Sequence, residues 1–514
     1  MSVTKICLLS VVFAICCLTV FNATQSDGLR AAVRTRSPFS AHRGVNRQQW
    51  RTTNGDRFMS TFASIAPSFD GPVVGDTRTE AEDYQRVKEE DEKLEKMIKD
   101  RQVDGLRTCL DNSITNRYQV LPSSDNSFLL QAEKTLADYF NMKYGLGVCS
   151  GGMAIMLGLR GIKRSLIGEE VPDDQIRVYS NAFTFNAVPS AIVNAGFQPV
   201  LIESTPELTM DLDDLEVQLK EDANNGYAGK GILALSYMRG RIPDMDKVLS
   251  LCKKYDMKLL EDNAHGYGCE WKGRKIGSFG DVSIISTQAS KLIDTGEGGL
   301  VFTNDPGIMA FTMFSAGCYE SLYAKHGEDM TPPKEAVDKF RFTTPNYSCR
   351  MTNFQGAMVL EQMKALQNRV DAHNHWYSVL QKNVENSDLL SPEQKRNIHF
   401  IPQLSDVGPV YDSVQIRILE DGKVSEQQDV KIDTFVQAMK NHSNGKFSVQ
   451  KFLDIENARY YKSWQTFNIN RDLPKTDQAL ANVVDARMSH KESYESMQLL
   501  ADTIAKAYLD AFVV

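Results

Sequence analysis

EDNAHGYG, residues 261–268, follows the apolar run KLL at 258–260. Glu261, Asp262 and His265 crowd together where a strand should end. A solvated turn would gather two carboxylates and an imidazole in this way, and so would an active site. What decides between them lies downstream, where Lys291 sits in the polar, glycine-rich loop STQASKLIDTGEGG (286–299).

The surroundings set the architecture. Residues 126–140 carry apolar side chains at helical spacing, at Phe128, Leu129, Ala132, Leu136 and Phe140. Strand-like runs then recur at 144–150, 176–181, 199–203, 231–237, 258–263, 281–288 and 298–305. Helical stretches lie between several of them, at 151–166, 185–196 and 243–256. Short β-rich runs separated by helices predict an α/β fold with a mostly parallel, doubly wound sheet. Ligands in such sheets sit at the C-terminal strand ends. CSGG, SNAFTF, EDNAH and STQASK each fall at such an end. Beyond 353 the pattern reads as one long helix, then a smaller α+β region with a strand at 413–419, a helix at 432–442 and a closing helix.

A ligand bearing a phosphate, a ring nitrogen and an aldehyde needs a different partner for each part. A phosphate takes backbone N–H groups at a helix N-terminus, and Ser150-Gly151-Gly152 stands at a strand-to-helix turn. A pyridine nitrogen that must stay protonated takes a buried carboxylate, for which Asp262 is placed. An aldehyde takes a lysine amine, which Lys291 offers. A ring face takes an aromatic cover, which Phe183 and Phe185 offer. Each has a plain structural alternative: a turn, a helix cap, a solvated lysine, a core aromatic. Gly296, Gly298 and Gly299 allow backbone to crowd close to something.

The chain has 514 residues and a net charge of -8, which argues against a nucleic-acid partner. Residues 6–21 are uncharged and apolar behind a short basic start. Sixteen such residues rise only about 24 Å as a helix, short of a roughly 30 Å hydrocarbon core, so they read as a cleaved signal peptide. A signal-anchor is the alternative. Residues 25–75 are arginine-rich, hydroxyl-rich and acid-poor, the composition of a transit peptide. Together these resemble the bipartite leaders of algae with secondary plastids, with simple secretion as the other reading. Residues 78–101 are charged nearly all round and suggest an exposed helix or linker without function. Cys109, Cys149, Cys252, Cys269, Cys318 and Cys349 show no metal or disulfide spacing and read as packed free thiols.

The order and spacing of these features resemble the DegT/DnrJ/EryC1/StrS family, pyridoxal-phosphate-dependent sugar aminotransferases of fold type I. The resemblance rests on residues 261–305, on PVLIESTPELTMDLDDLE (199–216) and on PNYSCRMTNFQGAMVLEQMKAL (345–366). It implies pyridoxal 5'-phosphate as cofactor, with Lys291 on the Schiff-base lysine, Asp262 on the pyridinium partner and His265 beside the ring hydroxyl. Ser286, Gly151 and Gly152 fall on phosphate-binding positions and Phe185 on the ring-stacking aromatic. Gly152 lacks the usual hydroxyl, Tyr237 replaces a histidine, and Ser348 replaces an asparagine that reaches a neighbouring subunit. SVQKFLDIENARYYKSW (448–464) does not resemble the family's substrate-facing segment. The expected organisation is a leader at 1–75, a charged helical extension at 76–125, a cofactor domain at 126–365 and a linking helix with a small domain at 366–514. The expected activity moves an amino group from glutamate or glutamine to a keto sugar or cyclitol, in a homodimer with no stable membrane anchor after leader cleavage. A dehydratase of the same family and a non-catalytic relic are the rival readings.

Overall fold

The computed structural model describes residues 80–120, 127–424, 428–465, 469 and 471–513. The leader reading lies outside them. Seven strands form the main sheet: β1 Tyr144–Val148, β2 Arg177–Asn181, β3 Gln198–Ile202, β4 Gly231–Ser236, β5 Lys258–Asp262, β8 Val282–Ser286 and β9 Gly299–Thr303. They lie in the order β1-β9-β8-β5-β4-β2-β3. Strands β3, β2, β4, β5 and β8 run parallel, while β9 is antiparallel to both β8 and β1.

Both faces of this sheet are buried, as a parallel sheet under helices requires. Successive residues of each strand feed opposite cores. Leu233, Leu235, Leu259, Ile285 and Leu300 enter one cluster. Ile232, Ala234, Leu260, Ile284 and Val301 enter the other. The helix Gly151–Ile162 packs on this second face through Ala154, Ile155, Leu157 and Leu159. Its N-terminus is capped by Ser150, whose side chain accepts from the Met153 amide.

A three-stranded sheet joins β6 Glu270–Trp271 and β7 Arg274–Lys275 to β11 Val407–Gly408. A separate antiparallel sheet orders β10 Ile398–Phe400, β12 Ser413–Ile418, β14 Val483–Arg487 and β13 Val449–Lys451 as β10-β12-β14-β13. Its core is built by the helix Leu366–Glu385, the helix Gln428–His442 and the closing helix Tyr494–Phe512.

Two expectations need correction. The stretch from 353 is two helices, Asn353–Met363 and Leu366–Glu385, interrupted at Lys364 and Ala365. The charged extension is a helix, Glu80–Asp111, and it is docked rather than idle. Ile98 and Cys109 on it are buried. A side chain at Gly105 would come within 3.1 Å of Ala357, so glycine permits the close approach. Glu95 accepts from Arg369 at 2.7 and 3.1 Å, and His490 and Lys491 each stand 3.3 Å from its carboxylate. Arg369 also donates to the Leu292 carbonyl at 2.6 Å. The extension therefore braces the backbone next to Lys291. The six cysteines among the described residues are free; Cys149 is exposed, and the other five are buried as expected.

Removing the Glu95 carboxylate leaves a buried guanidinium short of two charge-assisted bonds. Glu95→Ala is expected to cost roughly 1.5–3 kcal/mol, read from the midpoint of urea denaturation. A variant as stable as the parent would mean that the extension is not braced in this way.

Candidate active site

Strand parity sorts the opening carboxylates. Glu261 shares its face with Leu259, and Asp262 shares the opposite face with Leu260. Glu261 is fully buried. Its Oε1 accepts from Tyr237 Oη at 2.7 Å and Gly277 N at 2.9 Å, and its Oε2 accepts from the amides of Phe279 and Gly280, each at 2.7 Å. Both oxygens are satisfied by protein donors. Tyr237, the substituted family position, is thereby a structural partner beneath the sheet.

Ser236, Asp262 and Ser286 end β4, β5 and β8 on the other face, where a cavity of about 810 Å³ opens. Gly151, Gly152, Phe185, Asp262, His265, Ser286 and Lys291 all line it. Every site residue expected from the sequence is thus brought to one cavity. Phe183 is the exception among the aromatics considered: it is buried and packs on Phe452 at 4.7 Å between ring centroids. Ser348 is exposed with φ +52 and is not among the lining residues.

The cavity divides into three parts. At the first, a Cβ on Gly152 would meet nothing within 4 Å, whereas one on Gly151 would lie 2.9 Å from Ser286 Cβ. An open space thus faces the helix N-terminus, where amides lack intrahelical acceptors. A Cβ on Gly299 would stand 2.6 Å from the Gly151 nitrogen, so glycine there lets β9 press against the turn. This part can hold a phosphate.

At the second, Asp262 accepts from Ser236 Oγ at 2.8 Å and from the Ala264 amide at 3.2 Å. Burial pushes its carboxyl up, against those two donors. A cationic ring nitrogen beside it would offset that burial. Phe185 is 43% exposed and also borders the cavity.

At the third, the Lys291 amine stands 2.8 Å from His265 Nε2. Burial lowers it to about 8, with Asp412 and Asp262 pulling the other way and Arg487 and Arg239 assisting. Burial, then the Lys291 charge, pushes His265 well below the usual imidazole range. A neutral imidazole beside an ammonium accepts at Nε2 and carries its proton on Nδ1. That nitrogen faces Asp412 Oδ2 at 3.4 Å. Burial opposes the Asp412 charge, but Arg487, bonded at 2.7 Å, and His265 outweigh it and hold the carboxyl low.

Sequence reading missed Ser236, Arg239, Asp412, Arg459, Asp485 and Arg487. Ser236 could have been found, since it ends a strand already recognised. Arg487 and Asp485 sit on β14, a five-residue strand whose sequence VVDAR places two charged residues among its last three. Arg239, in left-handed backbone at φ +58, forms a buried ion pair with Asp485. Gln415 Nε2 donates to the other Asp485 oxygen at 2.9 Å.

The description of the matching family is the DegT/DnrJ/EryC1/StrS aminotransferase family, over residues 122–504. GDP-perosamine synthase of Caulobacter vibrioides is 30% identical over 251 residues, 49% of this chain and 59% of that protein. An L-glutamine:2-deoxy-scyllo-inosose aminotransferase of Streptoalloteichus tenebrarius is 27% identical over 257 residues, 49% of this chain and 55% of its own. The chain thus spans under two thirds of the length of these relatives. An aminotransferase structure from Brucella abortus superposes with a TM-score of 0.61 at 15% identity, covering 79% of this chain and 95% of its own. An E. coli GDP-4-keto-6-deoxy-D-mannose-3-dehydratase with bound hydrated PLP gives 0.63 at 15% identity, covering 79% and 96%. The fold is that of the fold type I pyridoxal-phosphate enzymes. The glycine turn, strand-end carboxylate and loop lysine lie within the matched residues, and the chain belongs to the DegT/DnrJ/EryC1/StrS aminotransferase family.

Proposed function

We propose that the protein is an aminotransferase that moves an amino group from glutamate or glutamine to a keto sugar or keto cyclitol. The observation that carries this reading is an amine at Lys291 with a lowered pKa, set in one cavity with Asp262 and a glycine-turn helix N-terminus. The relatives named for perosamine synthesis and for inosose amination support the substrate class. Pyridoxal 5'-phosphate is the cofactor that the family indicates, and the residues fit it. When bound, it supplies an electron sink for the substrate's reacting carbon.

The chain does the rest. Gly151, Gly152 and Ser286 take the phosphate, and Phe185 covers a ring face. Asp262 holds the proton on the ring nitrogen. With the cofactor bound, the Lys291 amine would serve as the base that takes the proton from the donor Cα and then as the acid that gives one back. His265 holds the Lys291 amine through Nε2, and Asp412 keeps His265 in the tautomer that leaves Nε2 free to accept. A keto substrate then runs the same steps in reverse. The lysine disfavours the dehydratase reading, since in that branch of the resemblance a histidine stands at this position. The assembled cavity disfavours a relic.

The working form is proposed to be a homodimer. Phe342 is 87% exposed and Tyr347 45%, beside the stretch whose family counterpart reaches a second subunit. The leader is proposed to direct the chain to a plastid, which a fluorescent fusion of residues 1–75 would test against secretion.

Two expectations follow at the site. Asp262→Asn should keep the cofactor and lose on the order of 10²–10³ in kcat, measured by amino transfer from L-glutamate. Glu261→Gln sets an NH₂ against backbone N–H donors, so it should lower stability by about 1–3 kcal/mol and spare the activity of the folded fraction. The reverse pattern would assign the wrong carboxylate. In cofactor-free protein, Lys291 should react with an amine-selective acylating reagent ahead of the exposed lysines at pH 8, with its reactivity half-risen near that pH. Below it the amine is increasingly protonated and should fall silent. A profile rising only near pH 10 would contradict the lowered pKa.

A further inference from the structure

Five lysine and arginine side chains line the cavity: Arg239, Lys291, Lys446, Arg459 and Arg487. Three are accounted for. Arg239 pairs with Asp485, Arg487 with Asp412, and Lys291 contacts His265. Lys446 bonds only a hydroxyl, Ser496 Oγ at 3.0 Å. Arg459 has less. Among the described residues its guanidinium makes one hydrogen bond, a long one to Asn457 Oδ1 at 3.5 Å, and its Nε is buried without a partner. No carboxylate lies within ion-pair distance of either among the described residues.

Arg459 is nevertheless held in place. The Asn186 amide donates to the Ala458 carbonyl at 3.1 Å, and Tyr460 bridges to Phe183. Trp464 Nε1 donates to the same Ala458 carbonyl at 2.9 Å. The guanidinium lies 5.7 Å from the centre of the Phe185 ring, the aromatic that borders the cavity. Burial, then the neighbouring Arg239 charge, lowers it to about 10, with Asp485 and Asp412 acting the other way from beyond ion-pair distance. A part-buried guanidinium beside like charges, with a free N–H and no paired anion, is costly unless an anion completes it. A guanidinium fork matches the paired oxygens of a carboxylate or phosphate.

We propose that Arg459, with Lys446 as a second donor, forms an oxyanion-binding subsite for the substrate in this cavity. It rests on the aminotransferase reading only for what the anion belongs to. A carboxylate would come from the amino donor, and a phosphate from a phosphate-bearing keto acceptor. Arg459 lies in the segment 448–464, which does not resemble the family's substrate-facing segment in sequence, so the subsite is a candidate for setting this protein's substrate choice.

The holoenzyme can be titrated calorimetrically with glutarate, which has carboxylates but no amino or keto group, and separately with inorganic pyrophosphate. At least one should bind the parent protein. Arg459→Ala should weaken that binding tenfold or more, and Arg459→Lys, which keeps the charge but not the fork, by a smaller factor. Unchanged melting temperatures and cofactor content would show that both variants fold. Glutarate dependence assigns the subsite to the donor, and pyrophosphate dependence to the acceptor. If neither probe binds, or if both Arg459 variants bind within twofold of the parent, the proposal is overturned. A parent protein that binds through Arg459 yet transfers no amino group would defeat the aminotransferase reading and leave the subsite standing.

Discussion

The carboxylate of Glu261 is sealed beneath the main sheet by four donors, and the site is arranged around that fact. Three of the donors are backbone amides from the loop between β7 and β8. To deliver them, the loop must fold back tightly. Gly277 has φ +93, and a Cβ there would lie 2.4 Å from Asn263 Nδ2. A Cβ on Gly280 would lie 2.6 Å from the Leu259 carbonyl. With Glu261 committed to one face, alternation delivers Asp262 to the other. The same parity places Ser236 and Ser286 beside it. A solvated turn would need none of this, so the opening stretch reads as the floor of an active site.

The opposite wall comes from far along the chain. Asp485 and Arg487 are two apart on β14 and share a face. One receives Arg239, and the other secures Asp412 and, through it, His265. Arg241 donates to Gln415 Oε1 and to the carbonyls of Ile401 and Pro402. Two arginines flanking Gly240 thus tie the end of β4 to the smaller sheet. Removing one member of such a buried pair costs more than the pair contributes, because the survivor keeps its desolvation. The left-handed backbone at Arg239 is a local strain that this pairing holds in place.

Much of this was legible beforehand. The strands at 231–237, 258–263 and 281–288 have short apolar centres, and their C-terminal ends carry the site residues. What stayed hidden has a common cause. Asp412, Arg459 and Arg487 act through pairings with residues 75 or more positions away, and no local period reports such partners. The extension Glu80–Asp111 docks through ion pairs, a glycine contact and a few widely spaced buried side chains such as Ile98 and Cys109, a pattern too sparse for hydrophobic periodicity to report. The break at Lys364 and Ala365 carries neither glycine nor proline, so the helical pattern runs through it unmarked.

The central claim is that Lys291 is the residue that carries the cofactor. Borohydride reduction of the holoenzyme, followed by proteolysis and mass mapping, tests it directly. The account predicts one modified peptide, spanning the loop 286–299, with the reduced cofactor's mass on Lys291. Cofactor mass on any other lysine, or a holoenzyme that leaves Lys291 unmodified, would contradict it.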